Sequence, residues 1–104
     1  MEYKIYKTDK FESSLSDIIF YIANDACDIK VALKYLEKIE KRIDILRKFP
    51  LFGVVPRQTI LKKQGFRVLT VERHLIFYKV EDSKKRIILY NIVDARRNYI
   101  NLIG

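Results

Sequence analysis

The step between apolar residues changes at Gly65, and that change dictates the layout of the chain. From residue 9 to residue 46 the large apolar side chains recur every three or four positions. Beyond residue 65 they come in alternating or continuous runs. A three-to-four step describes a helix with one buried face, whereas short apolar runs bounded by turns describe strands. The helices therefore come first, and the strands must pack on their apolar stripes.

The elements follow in order. Residues 2–7 (EYKIYK) alternate apolar and charged, with Tyr3 and Ile5 on one side, as in a short amphipathic strand. Asp9 is expected to open a helix, with Glu12 three residues on as a capping-box partner. The stripe Phe11, Leu15, Ile18, Ile19 and Ile22 follows, and the helix should end near Asn24. Residues 25–28 (DACD) make a tight connection in which Asp28 caps the next helix. The second stripe runs Ala32, Tyr35, Leu36, Ile39, Ile43, Leu46, and Phe49-Pro50 stops it, because the residue before a proline avoids helical geometry. Two such helices joined by a short link form an antiparallel hairpin.

Residues 50–64 hold both prolines and read as irregular. Three strands are expected next: 66–71 (FRVLTV), 75–80 (LIFYKV) and 86–93 (RIILYNIV), joined by turns at 72–74 and 81–85. Tight turns make the three antiparallel neighbours. The last two are apolar on both sides, which places them inside a sheet. Residues 94–104 form a short tail, for which a helix is one reading. The expected fold class is α+β, in the order β-α-α-β-β-β, with the helical hairpin on one face of a small, mainly antiparallel sheet and the whole of 1–104 as a single domain. The second face is left apolar, and the tail, a second subunit or a partner must cover it.

Composition narrows the function. Lys and Arg number 21 against 13 Asp and Glu, a formal net charge of +8. Residues 1–48 carry ten basic and nine acidic side chains, and residues 49–104 carry eleven and four, so the positive field belongs to the second half. Such a field favours polyanions and acidic partners. No apolar run approaches a membrane span, and the charged, alternating N-terminus is unlike a signal peptide. A cytoplasmic protein is expected. A single cysteine, Cys27, rules out an intramolecular disulfide and reads as a small apolar filler. The sequence has no glycine-rich phosphate loop and no Cys/His pair at metal spacing, so neither metal nor cofactor is expected.

Four phrases resemble the RelE/ParE superfamily, the toxins of type II toxin–antitoxin modules: LSDIIFYIAND (15–25), RKFPLFG (47–53), GFRVLTVERHLIFYKV (65–80) and IVDARRNY (92–99). They span almost the whole chain in order. The long hairpin, the P-x-x-G that follows it and the final A-R-R-N-Y resemble the ParE branch more than the RelE branch. The resemblance implies a growth-inhibiting toxin, a role in plasmid stabilisation, and a cognate antitoxin that silences it by direct binding in a hetero-oligomer. ParE-like members inhibit DNA gyrase, and RelE-like members cut mRNA on the ribosome.

Metal-free RNA cleavage needs a base, a cation to hold the charged phosphorane, and an acid for the leaving oxygen. On the RelE reading the catalytic candidates are Arg67, Arg96, Tyr99 and His74. Arg67 and Arg96 match arginines of the RNA-cleaving toxins. Tyr99 follows Arg96 more closely than the RelE tyrosine does, the loop lysines match only loosely as Lys62 and Lys63, and residues 50–70 contain no Glu to act as base. On the binding reading, Arg67, Arg73, Tyr78, Arg96 and Arg97 contact the target or the antitoxin. Each has a plainer role available. His74 is expected to be a solvent-facing turn residue, Tyr78 to pack in the sheet, and Arg96 and Arg97 to pair with Asp94 or Glu81. Gyrase inhibition is the favoured expectation. Ribosome-dependent mRNA cleavage is the alternative, and a simple nucleic-acid-binding module is a third.

Overall fold

A computed structural model describes residues 2–96. Strand β1 (Lys4–Lys7) leads into α1 (Asp9–Ala26) and α2 (Ile29–Ile45). A short α3 (Thr59–Lys63) precedes β2 (Arg67–Val71), β3 (His74–Glu81) and β4 (Arg86–Asp94). The sheet order is β1-β4-β3-β2, with β1 parallel to β4 and the other pairs antiparallel. The two strands that are apolar on both sides, β3 and β4, are the interior ones. The α+β class and the β-α-α-β-β-β order hold, with α3 as an addition. The expected tail at 94–104 lies beyond the described residues after Arg96.

Helix α1 starts one residue earlier than its acidic opening suggests. Its N-cap is Thr8, not Asp9: the Thr8 hydroxyl accepts from Phe11 N at 3.1 Å and donates to the Tyr90 carbonyl at 2.9 Å. One side chain thus satisfies a free helix N–H and ties the helix to β4. Helix α1 runs to Ala26, two residues past the expected end, and Cys27 closes it in the left-handed region at φ 53°. Asp28 caps α2 as expected, accepting from Lys30 N at 2.9 Å.

The first core lies between the hairpin and the sheet. Phe11, Ile39, Ile43 and Leu46 meet Leu69, Val71, Ile76, Tyr78, Ile87, Leu89 and Ile92 there. A bulge makes this set possible. Phe77 pairs with Asn91 and Tyr78 with Leu89, so Tyr90 has no partner in the register. The extra residue shifts the alternation of β4, and Leu89 and Ile92, three apart, both reach the helix side. Asn91, buried inside the bulge, accepts from Ser14 of α1 at 2.7 Å.

The second face carries its own core of Leu61, Phe66, Val68, Phe77 and Val93. Leu61 belongs to α3, so part of the cover comes from the stretch read as irregular, a source the expectation had not named. Five residues are too few to show a helical period, but Gly65, at φ 83°, is the stop signal that follows it. Val54 extends the order of this segment through paired backbone bonds with Val68 at 2.8 and 2.9 Å.

Ile39 is fully buried where α2 meets the sheet. Ile39→Ala should cost about 2–5 kcal/mol of stability, read as a lower urea midpoint at unchanged slope.

Candidate functional site

The candidate residues gather at opposite ends of the β2–β3 hairpin. Arg67 faces Tyr78 at one end, and Val71 faces His74 at the other. Four residues of strand separate the ends, about 13 Å.

At the first end Tyr78 is a buried brace. Its hydroxyl donates to the Pro50 carbonyl at 2.8 Å and accepts from Gly53 N at 2.9 Å. Burial raises its pKa, opposed by the Gly53 bond and by Arg67. Arg67 Nη2 donates to the carbonyls of Leu51 and Gly53 at 3.2 and 2.8 Å. These bonds pin residues 50–53 against the sheet. Gly53 is required by closeness: a Cβ there would sit 2.6 Å from both the Tyr78 hydroxyl and the Val68 carbonyl. Tyr78 is fully buried, so the described fold leaves it no surface for a partner, in line with the packing role. The P-x-x-G phrase was the only hint of this brace.

The pinned segment raises an apolar ridge. Phe49, Leu51, Phe52, Val54, Val55 and Ile60 are all exposed. Arg42 of α2 lies over the Phe52 ring at 5.0 Å and donates to the Thr70 carbonyl at 3.0 and 3.3 Å.

At the second end the turn is only Glu72 and Arg73, with Glu72 at φ 54°, and His74 is the first residue of β3. Contrary to the expectation of a solvent-facing turn residue, His74 is half-buried against α2. Its Nδ1 lies 2.6 Å from the Tyr35 hydroxyl, which also donates to the Val71 carbonyl at 3.1 Å. Both bonds are met when Nδ1–H donates to the tyrosine oxygen and the tyrosine proton goes to Val71. Burial lowers the His74 pKa, opposed by Asp94 on β4 and reinforced by Arg73 and Arg96. Tyr35 had been read only as part of an apolar stripe. A buried tyrosine hydroxyl seeks a partner, and that was the available signal.

Arg96 pairs with Asp94 through Nε at 3.2 Å and Nη2 at 3.0 Å, and its backbone N–H donates to the same carboxylate at 2.8 Å. Arg96 thereby holds the Asp94 carboxyl far below the usual carboxylate range. Of the two expected carboxylates Arg96 takes Asp94, while Glu81 pairs with Arg86. Arg73 is exposed at the turn, and Lys62 and Lys63 are exposed on α3. Arg97 and Tyr99 lie outside the described residues. Among the described residues, no three His, Cys, Asp or Glu side chains converge as a metal site, and no helix is long and apolar enough to cross a membrane.

The architecture is that of a small toxin of the RelE/ParE superfamily. The family model for the ParE toxin of type II toxin–antitoxin systems matches residues 5–99, and the chain belongs to this family. Among solved structures, the chromosomal ParDE toxin–antitoxin system of P. aeruginosa superposes with a TM-score of 0.74 at 20% identity, covering 91% of this chain and 98% of that one. The RelBE2 toxin–antitoxin complex of Mycobacterium tuberculosis gives 0.63 at 13% identity, covering 90% and 99%. At such identities the likeness is one of fold. A search of curated protein sequences finds no match.

Two outcomes follow from the geometry. Tyr78→Phe strands the Gly53 N–H and should cost about 1–3 kcal/mol, read by chemical denaturation, with faster proteolysis at residues 50–55. Because the folded state holds His74 below its ordinary 6.5, the unfolded chain binds the proton more readily. Stability should therefore be greatest above that value and fall as pH drops through it, and His74→Gln should flatten this part of a thermal-denaturation profile.

Proposed function

We propose that this protein is a cytoplasmic growth-inhibiting toxin that acts by binding DNA gyrase, and that a cognate acidic antitoxin silences it. The observation that supports binding over RNA cleavage is the separation of Arg67 from His74 and Arg96. A cleavage site needs its cation and its proton carriers on one phosphate. Here Arg67 holds loop carbonyls, while His74 faces Tyr35 and Arg96 holds Asp94 at the other end of the hairpin.

The exposed ridge of residues 49–55 beside Arg67 suits the antitoxin. An extended segment would lay apolar side chains on Leu51, Phe52 and Val54 and set carboxylates near the basic side chains of the second half of the chain. Antitoxin association should slow as salt rises, in stopped-flow measurements, because long-range attraction is screened.

The purified chain should inhibit gyrase-dependent supercoiling and leave ribosome-bound mRNA intact. In cells, His74→Gln should leave growth inhibition nearly unchanged. Arg96→Ala should weaken inhibition at matched soluble levels, since an exposed arginine contributes little to folding. Codon-positioned mRNA cleavage that disappears with Arg67→Ala or Arg96→Ala would establish the endonuclease instead.

A further inference from the structure

Among the described residues, the second face of the sheet is covered at its β2 end, where α3 and Leu61 lie. Toward β1 it is open among the described residues, and its side chains form rows across the strands. Tyr6 on β1 pairs with Ile88 on β4, which pairs with Lys79 on β3. One row further along, Lys4 pairs with Arg86. Tyr6 is 46% exposed, and Ile88, Lys79 and Tyr90 are each partly exposed.

Cations and rings alternate on this surface. Lys79 Nζ stands 4.6 Å from the Phe66 ring centre and 5.2 Å from that of Tyr90. Phe66 props Tyr90 edge to face at 5.2 Å. The Arg86 guanidinium lies 5.6 Å from the Tyr6 ring centre and also pairs with Glu81, the acidic member of the row. Rings carried on a rigid sheet and flanked by cations suit a chain that carries planar groups and negative charges in alternation. Single-stranded nucleic acid has that chemistry: its bases stack on aromatic faces and its phosphates meet Lys and Arg. An acidic peptide would satisfy the amines and leave the rings unused.

We propose that the open face of this sheet binds single-stranded nucleic acid without sequence preference, with bases stacking on Tyr6 and Tyr90 and phosphates held by Lys4, Lys79 and Arg86. The surface is separate from the ridge at residues 49–55. It is separate also from His74, which lies on the helix side of the sheet, and from the Asp94–Arg96 pair at the end of β4.

The test is fluorescence anisotropy of the full purified chain with a labelled oligo(dT) of about 15 nucleotides, the span of a small single-strand site. Oligo(dT) should bind more tightly than a duplex of equal length, whose bases are stacked internally. Three phosphate contacts predict a slope of log K against log salt near about −2, and Lys79→Gln should reduce its magnitude by about 0.7. Tyr6→Leu keeps an apolar strand residue and removes the ring. It should weaken oligo(dT) at least about fivefold and leave heparin, a polyanion without bases, unaffected. Equal binding of duplex and single strand, or equal losses for heparin and oligo(dT) in Tyr6→Leu, would overturn the proposal. So would tighter binding of poly-glutamate than of oligo(dT), which would assign the face to an acidic peptide. Failure of gyrase inhibition would bear on the toxin reading alone.

Discussion

Everything in this fold hangs on two interior strands whose central residues must be buried on both faces. β3 and β4 place Ile76, Tyr78, Leu89 and Ile92 toward the helical hairpin and Phe77 and Val93 toward the other face. A sheet of four strands can satisfy that demand only if helices lie above and below it. The hairpin supplies one layer outright. The other, over Phe77 and Val93, is supplied in part by a five-residue helix placed where the chain must in any case cross from α2 to β2. The bulge at Tyr90 lets one strand serve both layers, since strict alternation would have sent Ile92 away from the hairpin.

The crossing segment is held by polar atoms in a mostly apolar setting. Tyr78 reaches out of the core to bind both sides of the 50–53 turn, and Arg67 closes it from the strand edge. Because the turn's polar groups are satisfied from beneath, its apolar side chains are free to point outward. The same bonds that build the fold thus create an exposed apolar ridge. Arg67, a catalytic candidate on the RelE reading, serves together with Tyr78 as scaffolding for the turn.

The sequence was most readable where one signal acted alone. The stripes of α1 and α2 and the interior position of β3 and β4 followed from apolar spacing, because burial on one or both sides leaves a direct imprint. The start of α1 was misread by one residue because Thr8 and Asp9 are both good caps, and only the contact with β4 chooses between them. Helix α3 escaped because its length is below two turns. His74 was misplaced because a turn one residue shorter than expected puts it in the strand, and its partner Tyr35 is 39 residues away. Arg67 and Arg96 stood out in the sequence, but their separation depends on strand register, which no local pattern carries.

The parallel pairing of β1 with β4 joins Lys4 to Arg86 across 82 positions of sequence. Three of the sheet's strands and both long helices can assemble from neighbours, but this edge cannot close until β4 exists. During synthesis, β1 therefore waits for almost the entire chain to emerge, and non-local pairings of this kind are the slow ones. The open face, whose β1 edge is formed by Tyr6 and Lys4, is assembled last. A ribosome-bound fragment lacking β4 would carry the helical hairpin but not that face. The geometry thus makes the completed sheet depend on a strand synthesised 82 positions after its edge partner.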